Sequence, residues 1–113
     1  MAAIYKICRA AEWAAALAEG TYAGSAVDVK DGFIHFSTAA QAAETAAKHF
    51  AGQADLVLVR LEAEALGPAL KWEPSRGGAL FPHLYAPLDV RQATWVKPLP
   101  LGGDGTHKFP LVD

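Results

Sequence analysis

The order of patterns along the chain predicts an α+β domain. Two helical stretches lie near the start, most strand-like runs follow, and helices do not alternate with strands as a doubly wound sheet requires. A chain of 113 residues makes one such domain. Burying roughly two thirds of its unfolded surface gives it a core without staples. Its 52% hydrophobic and 19% charged residues are those of a globular chain rather than a disordered one.

Residues 3–9 read as a strand, with Ile4, Tyr5, Ile7 and Cys8 apolar and β-prone. Residues 10–19 read as a helix, with Trp13, Ala14 and Leu17 as its apolar stripe and Gly20 as a left-handed stop. Residues 20–32 read as a loop closed by Asp31-Gly32. Phe33 to Ser37 is the next strand. Thr38 and Gln41 then form a capping box that starts a helix running to His49 or Phe50 and ended by Gly52. Ala39, Ala42, Ala43, Ala46, Ala47 and Phe50 would make its inner face.

Leu56 to Val59 is a continuous apolar run, the mark of a central strand covered on both faces. A short helical turn at 62–66 and a strand at 70–73 follow, then the turn-rich 74–78. Prolines in 81–88 forbid a long helix. Residues 94–99 form the last strand. The domain is expected to span 1–101, and the Gly-rich polar stretch 102–113 is expected to be a mobile tail.

Charge and cysteine content exclude several classes. Ten Lys and Arg against twelve Asp and Glu give a net charge of −2, with no basic run of the kind nucleic acid or an anionic membrane attracts. No apolar stretch approaches the roughly 18 residues of a membrane helix. Lys6 interrupts the apolar start, unlike the centre of a signal peptide. Cys8 is the only cysteine, which fits a reducing compartment, so the cytoplasm is expected. Walker, Gly-x-Gly-x-x-Gly, His-Glu-x-x-His and Gly-x-Ser-x-Gly motifs are all missing. His35, His83 and Glu73 have no diagnostic metal-ligand spacing, so no metal is expected.

The densest chemical signal is Asp31-Gly-Phe-Ile-His-Phe-Ser-Thr38. Strand alternation puts Phe33, His35 and Ser37 on one face, and Ile34 and Phe36 toward the core. His35 and Ser37 thus share a face just before a helix N-terminus at Thr38, a natural place for phosphate or carboxylate. Read for structure alone, His35 is a hydrogen-bonded histidine and Ser37 or Thr38 a cap. His83 and Tyr85 share a side of an extended, proline-stiffened segment that suits a pocket wall, or else a packed turn. Trp72 and Glu73 could stack a ring and orient a hydroxyl. Alternatively Trp72 is core and Glu73 pairs with an arginine such as Arg76. Lys6 is either an edge-strand gatekeeper or the anion partner in a pocket.

Ile4-Tyr-Lys-Ile7, Asp31-Gly-Phe-Ile-His-Phe-Ser37, Trp72-Glu73 and Gly78-x-x-Phe-Pro-His-Leu-Tyr-x-Pro-Leu88 together resemble the bacterial "domain of unknown function 952" family, from Ile4 to about Pro98. That family is distantly similar to the ADP-ribosyltransferase-like fold. The resemblance implies a small split, twisted β-sheet with two helices and an NAD-binding cleft, with NAD as cofactor. It also implies a transferase related to ADP-ribosyltransferases or RNA 2′-phosphotransferases. It puts His35 in the cleft and Lys6 where that superfamily often carries histidine or arginine. The late-strand catalytic glutamate has no counterpart, since residues 94–99 read Thr-Trp-Val-Lys-Pro-Leu.

Two readings follow. In one, the domain is a small-molecule pocket for an ADP-ribose- or NAD-like nucleotide or another small anion. His35 and His83 are then the catalytic groups, and Lys6, Ser37, Thr38, Trp72, Glu73 and Tyr85 bind the ligand. In the other, it is a non-catalytic interaction or accessory module with a degenerate site.

Overall fold

The β-rich run from residue 56 onward and the strand at the start build the centre of the molecule. The structure, a computed structural model, describes residues 2–75 and 78–110. Strand β1 (Ala3–Arg9) pairs antiparallel along its whole length with β5 (Leu56–Glu62), and β5 pairs in turn with β9 (Trp95–Leu99). With the two-residue β4 (Ser37–Thr38), they form a sheet ordered β4-β1-β5-β9. A second sheet is ordered β3-β7-β6, from β3 (Ile34–His35), β7 (Ala79–Leu84) and β6 (Leu70–Ser75). A two-stranded ribbon joins β2 (Thr21–Tyr22) to β8 (Leu88–Asp89).

β5 is central and apolar on both faces, as the continuous run predicts. Val59 and Leu61 enter one cluster with Ile4, Cys8, Trp13, Ile34 and Leu84. Leu56 and Leu58 enter the other with Tyr5, Ile7, Ala46 and Leu99. Helix α1 (Ala10–Glu19) covers the first cluster and α3 (Ala39–His49) the second.

The helix limits match the sequence, but their inner faces are narrower. α1 buries Trp13 and Ala16 and leaves Ala14 and Leu17 exposed. α3 buries Ala42 and Ala46, while Ala39, Ala43 and Ala47 face out. The Thr38–Gln41 capping box is present in both directions, and Phe50 rather than Gly52 caps the helix end.

Two expectations are corrected. The stretch 20–32 is not a loop: it contains β2 and a further helix, α2 (Ala26–Asp31), so the described residues hold three α-helices rather than two. α2 starts with a Ser25–Asp28 capping box and stops at Gly32 in the left-handed region, with φ 88°. The strand expected over 33–37 is broken at Phe36: β3 pairs with β7, and β4 pairs with β1. The extended piece that carries Pro82 is the middle strand of the second sheet, β7. Pro82 brings no N–H, and its carbonyl accepts instead from the Phe36 N–H at 3.0 Å.

The chain therefore leaves one sheet and enters the other between His35 and Ser37. β4 follows β1 only through Ile4 and Tyr5. Past that point the two sheets diverge, and Lys6–Arg9 border a cleft on the side away from β5. Residues 100–109 return to the sheet: the Lys108 N–H donates to the Pro100 carbonyl, His107 Nε2 lies 2.8 Å from the Gln53 carbonyl, and Phe109 packs on the second cluster. No described helix is long and apolar enough to cross a membrane.

Candidate functional site

A carboxylate buried without partners is costly, so a buried aspartate must gather donors. Asp28 is 2% exposed and collects four. Its Oδ2 accepts from Lys6 Nζ at 2.7 Å and from the Ser25 N–H at 2.9 Å. Its Oδ1 lies 2.6 Å from His35 Nδ1 and accepts from the His35 N–H at 3.2 Å. Every acceptor position of the carboxylate is used. Burial alone would raise the Asp28 carboxyl. The hydrogen bond from His35, the charge and hydrogen bond of Lys6 and the Ser25 N–H outweigh burial and hold it well below the usual carboxylate range. Gly24 makes room for this carboxylate: a Cβ there would sit 2.6 Å from Asp28 Cβ.

Lys6 is on the same face of β1 as Ile4 and Cys8, is 4% exposed, and lies on a strand with neighbours on both sides at its start. It is thus an inward-facing cation and not an edge gatekeeper. His35 is the link to solvent, with its side chain 34% exposed. Its Nε2 lies 3.0 Å from Asp31 Oδ2. Lys6, Asp28, His35 and Asp31 thus follow one another from core to cleft, Lys6 and His35 Nδ1 both against Asp28 and His35 Nε2 at ion-pair distance from Asp31.

A second imidazole stands beside the first. His83 is the direct cross-strand partner of His35 in the β3–β7 ladder, and their ring centroids are 5.4 Å apart, edge to face. His83 Nδ1 lies 2.8 Å from Glu73 Oε1, which also accepts from the Tyr85 hydroxyl at 2.7 Å. The bond from His83, then that from Tyr85, lowers the Glu73 carboxyl below its ordinary value. Phe33 packs among these groups, stacked on His83 at 4.1 Å and tilted against His35 and Tyr85.

The cleft has a volume of about 630 Å³, within the range of small-molecule sites. Lys6, Asp28, Asp31, His35, Ser37 and His83 are among its lining residues. The structure therefore gathers Lys6, His35, Ser37 and His83 of the expected set. Ser37 Oγ is 2.9 Å from Thr45 Oγ1, and Thr38 is used as the cap of α3. Glu73 and Tyr85 support His83 and do not line this cleft. Trp72 pairs with Pro82, one position from the Lys71–His83 pair, so it points to the opposite sheet face and does not join them. Arg76, the suggested partner of Glu73, lies outside the described residues.

Asp28 and Asp31 are the cleft carboxylates to which sequence reading gave no site role, Asp31 counting only as a turn residue. The Ser25-x-x-Asp28 spacing was the available signal for α2. Among the described residues no group of three or more His, Cys, Asp or Glu is disposed to hold a metal ion. Cys8 lines the cleft but is 1% exposed, and burial pushes its thiol up to about 11 against the opposing charge of Lys6.

Residues 7–96 match the model of a family described as Protein of unknown function (DUF952). The crystal structure of protein CC0527 from Caulobacter crescentus is 59% identical, with a TM-score of 0.91, over 94% of this chain and 93% of that one. The solution NMR structure of CC0527 is 60% identical, with a TM-score of 0.84, over 94% of this chain and 91% of that one. No curated protein matches the chain.

Proposed function

The chain belongs to the DUF952 family, whose description carries no activity, and from its own geometry we propose that the cleft is a small-molecule site in which His35 moves a proton. The observation that carries this reading is the Asp28–His35 contact at 2.6 Å. A fully satisfied, buried carboxylate fixes the ring through Nδ1 and turns Nε2 to the cleft, where Asp31 faces it, the arrangement of an oriented acid–base histidine. His83, fixed through its own carboxylate, is the second imidazole. Lys6 neutralises Asp28 and lines the same cleft.

The resemblance to ADP-ribosyltransferases and RNA 2′-phosphotransferases supplies the ligands to try first, NAD and ADP-ribose. The missing late-strand glutamate argues for a reaction other than ADP-ribosyl transfer to a protein side chain. A thermal-shift screen against NAD, ADP-ribose, nucleotides, phosphorylated sugars and divalent metals tests the reading. A ligand at a hundred times its dissociation constant stabilises by about 2.7 kcal/mol, and the shift should vanish in His35→Ala and shrink in His83→Ala.

The alternative is a non-catalytic interaction module. It is favoured by the commitment of both imidazoles to carboxylates and by the burial of His83. Silence across the panel, with both variants folded, would select it.

A further inference from the structure

The two carboxylates on His35 are held differently. Asp28 is buried and takes four donors. The Asp31 side chain is 41% exposed and is held at the site by His35 Nε2 at 3.0 Å. Asp31 is the last residue of the six-residue α2. An anionic side chain there sits at the unfavourable end of the helix dipole. The next residue, Gly32, turns the chain with φ 88°, and nothing lies within 4 Å of where its Cβ would be, so the corner has room.

We propose that the Asp31 carboxylate occupies the place of an anionic ligand oxygen, and that the cleft accepts a phosphate or carboxylate group on His35 Nε2 when Asp31 turns aside. Charge decides the class. Lys6 already pairs with Asp28, so the carboxylate at His35 Nε2 is the exchangeable one. An anionic oxygen that replaces Asp31 restores the same kind of partner against Nε2. Asp31 then acts as a built-in plug that a ligand anion must displace. This inference rests on the reading of the cleft as a small-molecule site.

The probe is inorganic phosphate, followed by titration of the His35 ring resonances in the full chain. The wild type should bind weakly. Asp31→Ala should bind about tenfold more tightly, the equivalent of about 1.4 kcal/mol. Asp31→Asn, which keeps the shape and removes the charge, should show the same gain and serves if the alanine variant folds poorly. Adding His35→Gln to either should abolish the gain. Affinity within twofold of wild type, or a gain that survives His35→Gln, overturns the proposal. A His35-dependent ligand in the thermal-shift panel without a phosphate gain would sink the plug and keep the pocket. Silence in both experiments would remove both.

Discussion

Lys6 and Asp28 meet as an ion pair with Nζ to Oδ2 at 2.7 Å, and neither side chain is more than 5% exposed. A pair this dry is worth little against an apolar substitute, but breaking it from one side is expensive. Lys6→Met leaves a buried carboxylate without its cation. The expected loss is about 3–5 kcal/mol, a large share of the 5–15 kcal/mol typical of a domain. Urea unfolding measures it, and a loss under about 1 kcal/mol would contradict the ion pair's role.

Acid should act through the same carboxylate. The folded-state value of Asp28 lies below its ordinary value of 3.8. Its contribution is therefore fully present above that value and drains away as pH falls below it. Unfolding free energy measured from about pH 6 to pH 2 should fall more steeply in the wild type than in Asp28→Asn, which lacks the titrating group. Parallel curves would refute this.

Cys8 should be silent in the native state. Burial raises the thiol to about 11 and the residue is 1% exposed, whereas reactive cysteines are exposed thiolates. Iodoacetamide at neutral pH is expected to label it only as fast as the fold opens, and rapidly in urea. Fast labelling of folded protein would show that the cleft reaches the sulfur.

The two capping boxes should separate stability from site geometry. Thr38→Ala and Ser25→Ala each remove an N-cap, at about 1 kcal/mol. Thr38 holds α3, so its loss should leave the His35 resonances in place. Ser25 holds α2 and positions Asp28, so its loss should shift them and speed hydrogen exchange at 26–31. Identical spectra for both variants would mean that α2 does not position the imidazole.

Gly24→Ala should destabilise by more than an ordinary surface change. It puts a Cβ 2.6 Å from Asp28 and asks alanine to hold φ 110°. Thermal unfolding equal to wild type would show that the 23–25 corner yields freely.

Much of this architecture was legible in the sequence because it rests on local rules. Val57 and Val59 in an unbroken run, Gly20 after Leu17, and Thr38 three residues before Gln41 each carry their own signal. What escaped depended on distant partners. α2 is only six residues long, too short for a periodic stripe, and its start is marked by Ser25 and Asp28 alone. Pro82 spoke only against a long helix, and its place in a strand rests on a carbonyl-only role beside Phe36. Leu17 looked like core by spacing, yet the packing uses the Trp13–Ala16 side. In the site, His35 and His83 were visible as residue types in rich segments. Glu73, which holds His83, was singled out too. The charge that fixes His35 came from Asp28, which looked like any polar residue in a loop, and no local pattern announces that Lys6 will reach it.

Phe36, 2% exposed, is the single residue between a strand of one sheet and a strand of the other. One residue of extended chain spans at most about 3.6 Å, so the two sheets are tethered at that point. The cleft cannot widen there by much. A guest that reaches His35 and Ser37, one on each side of Phe36, meets walls with little freedom to retreat.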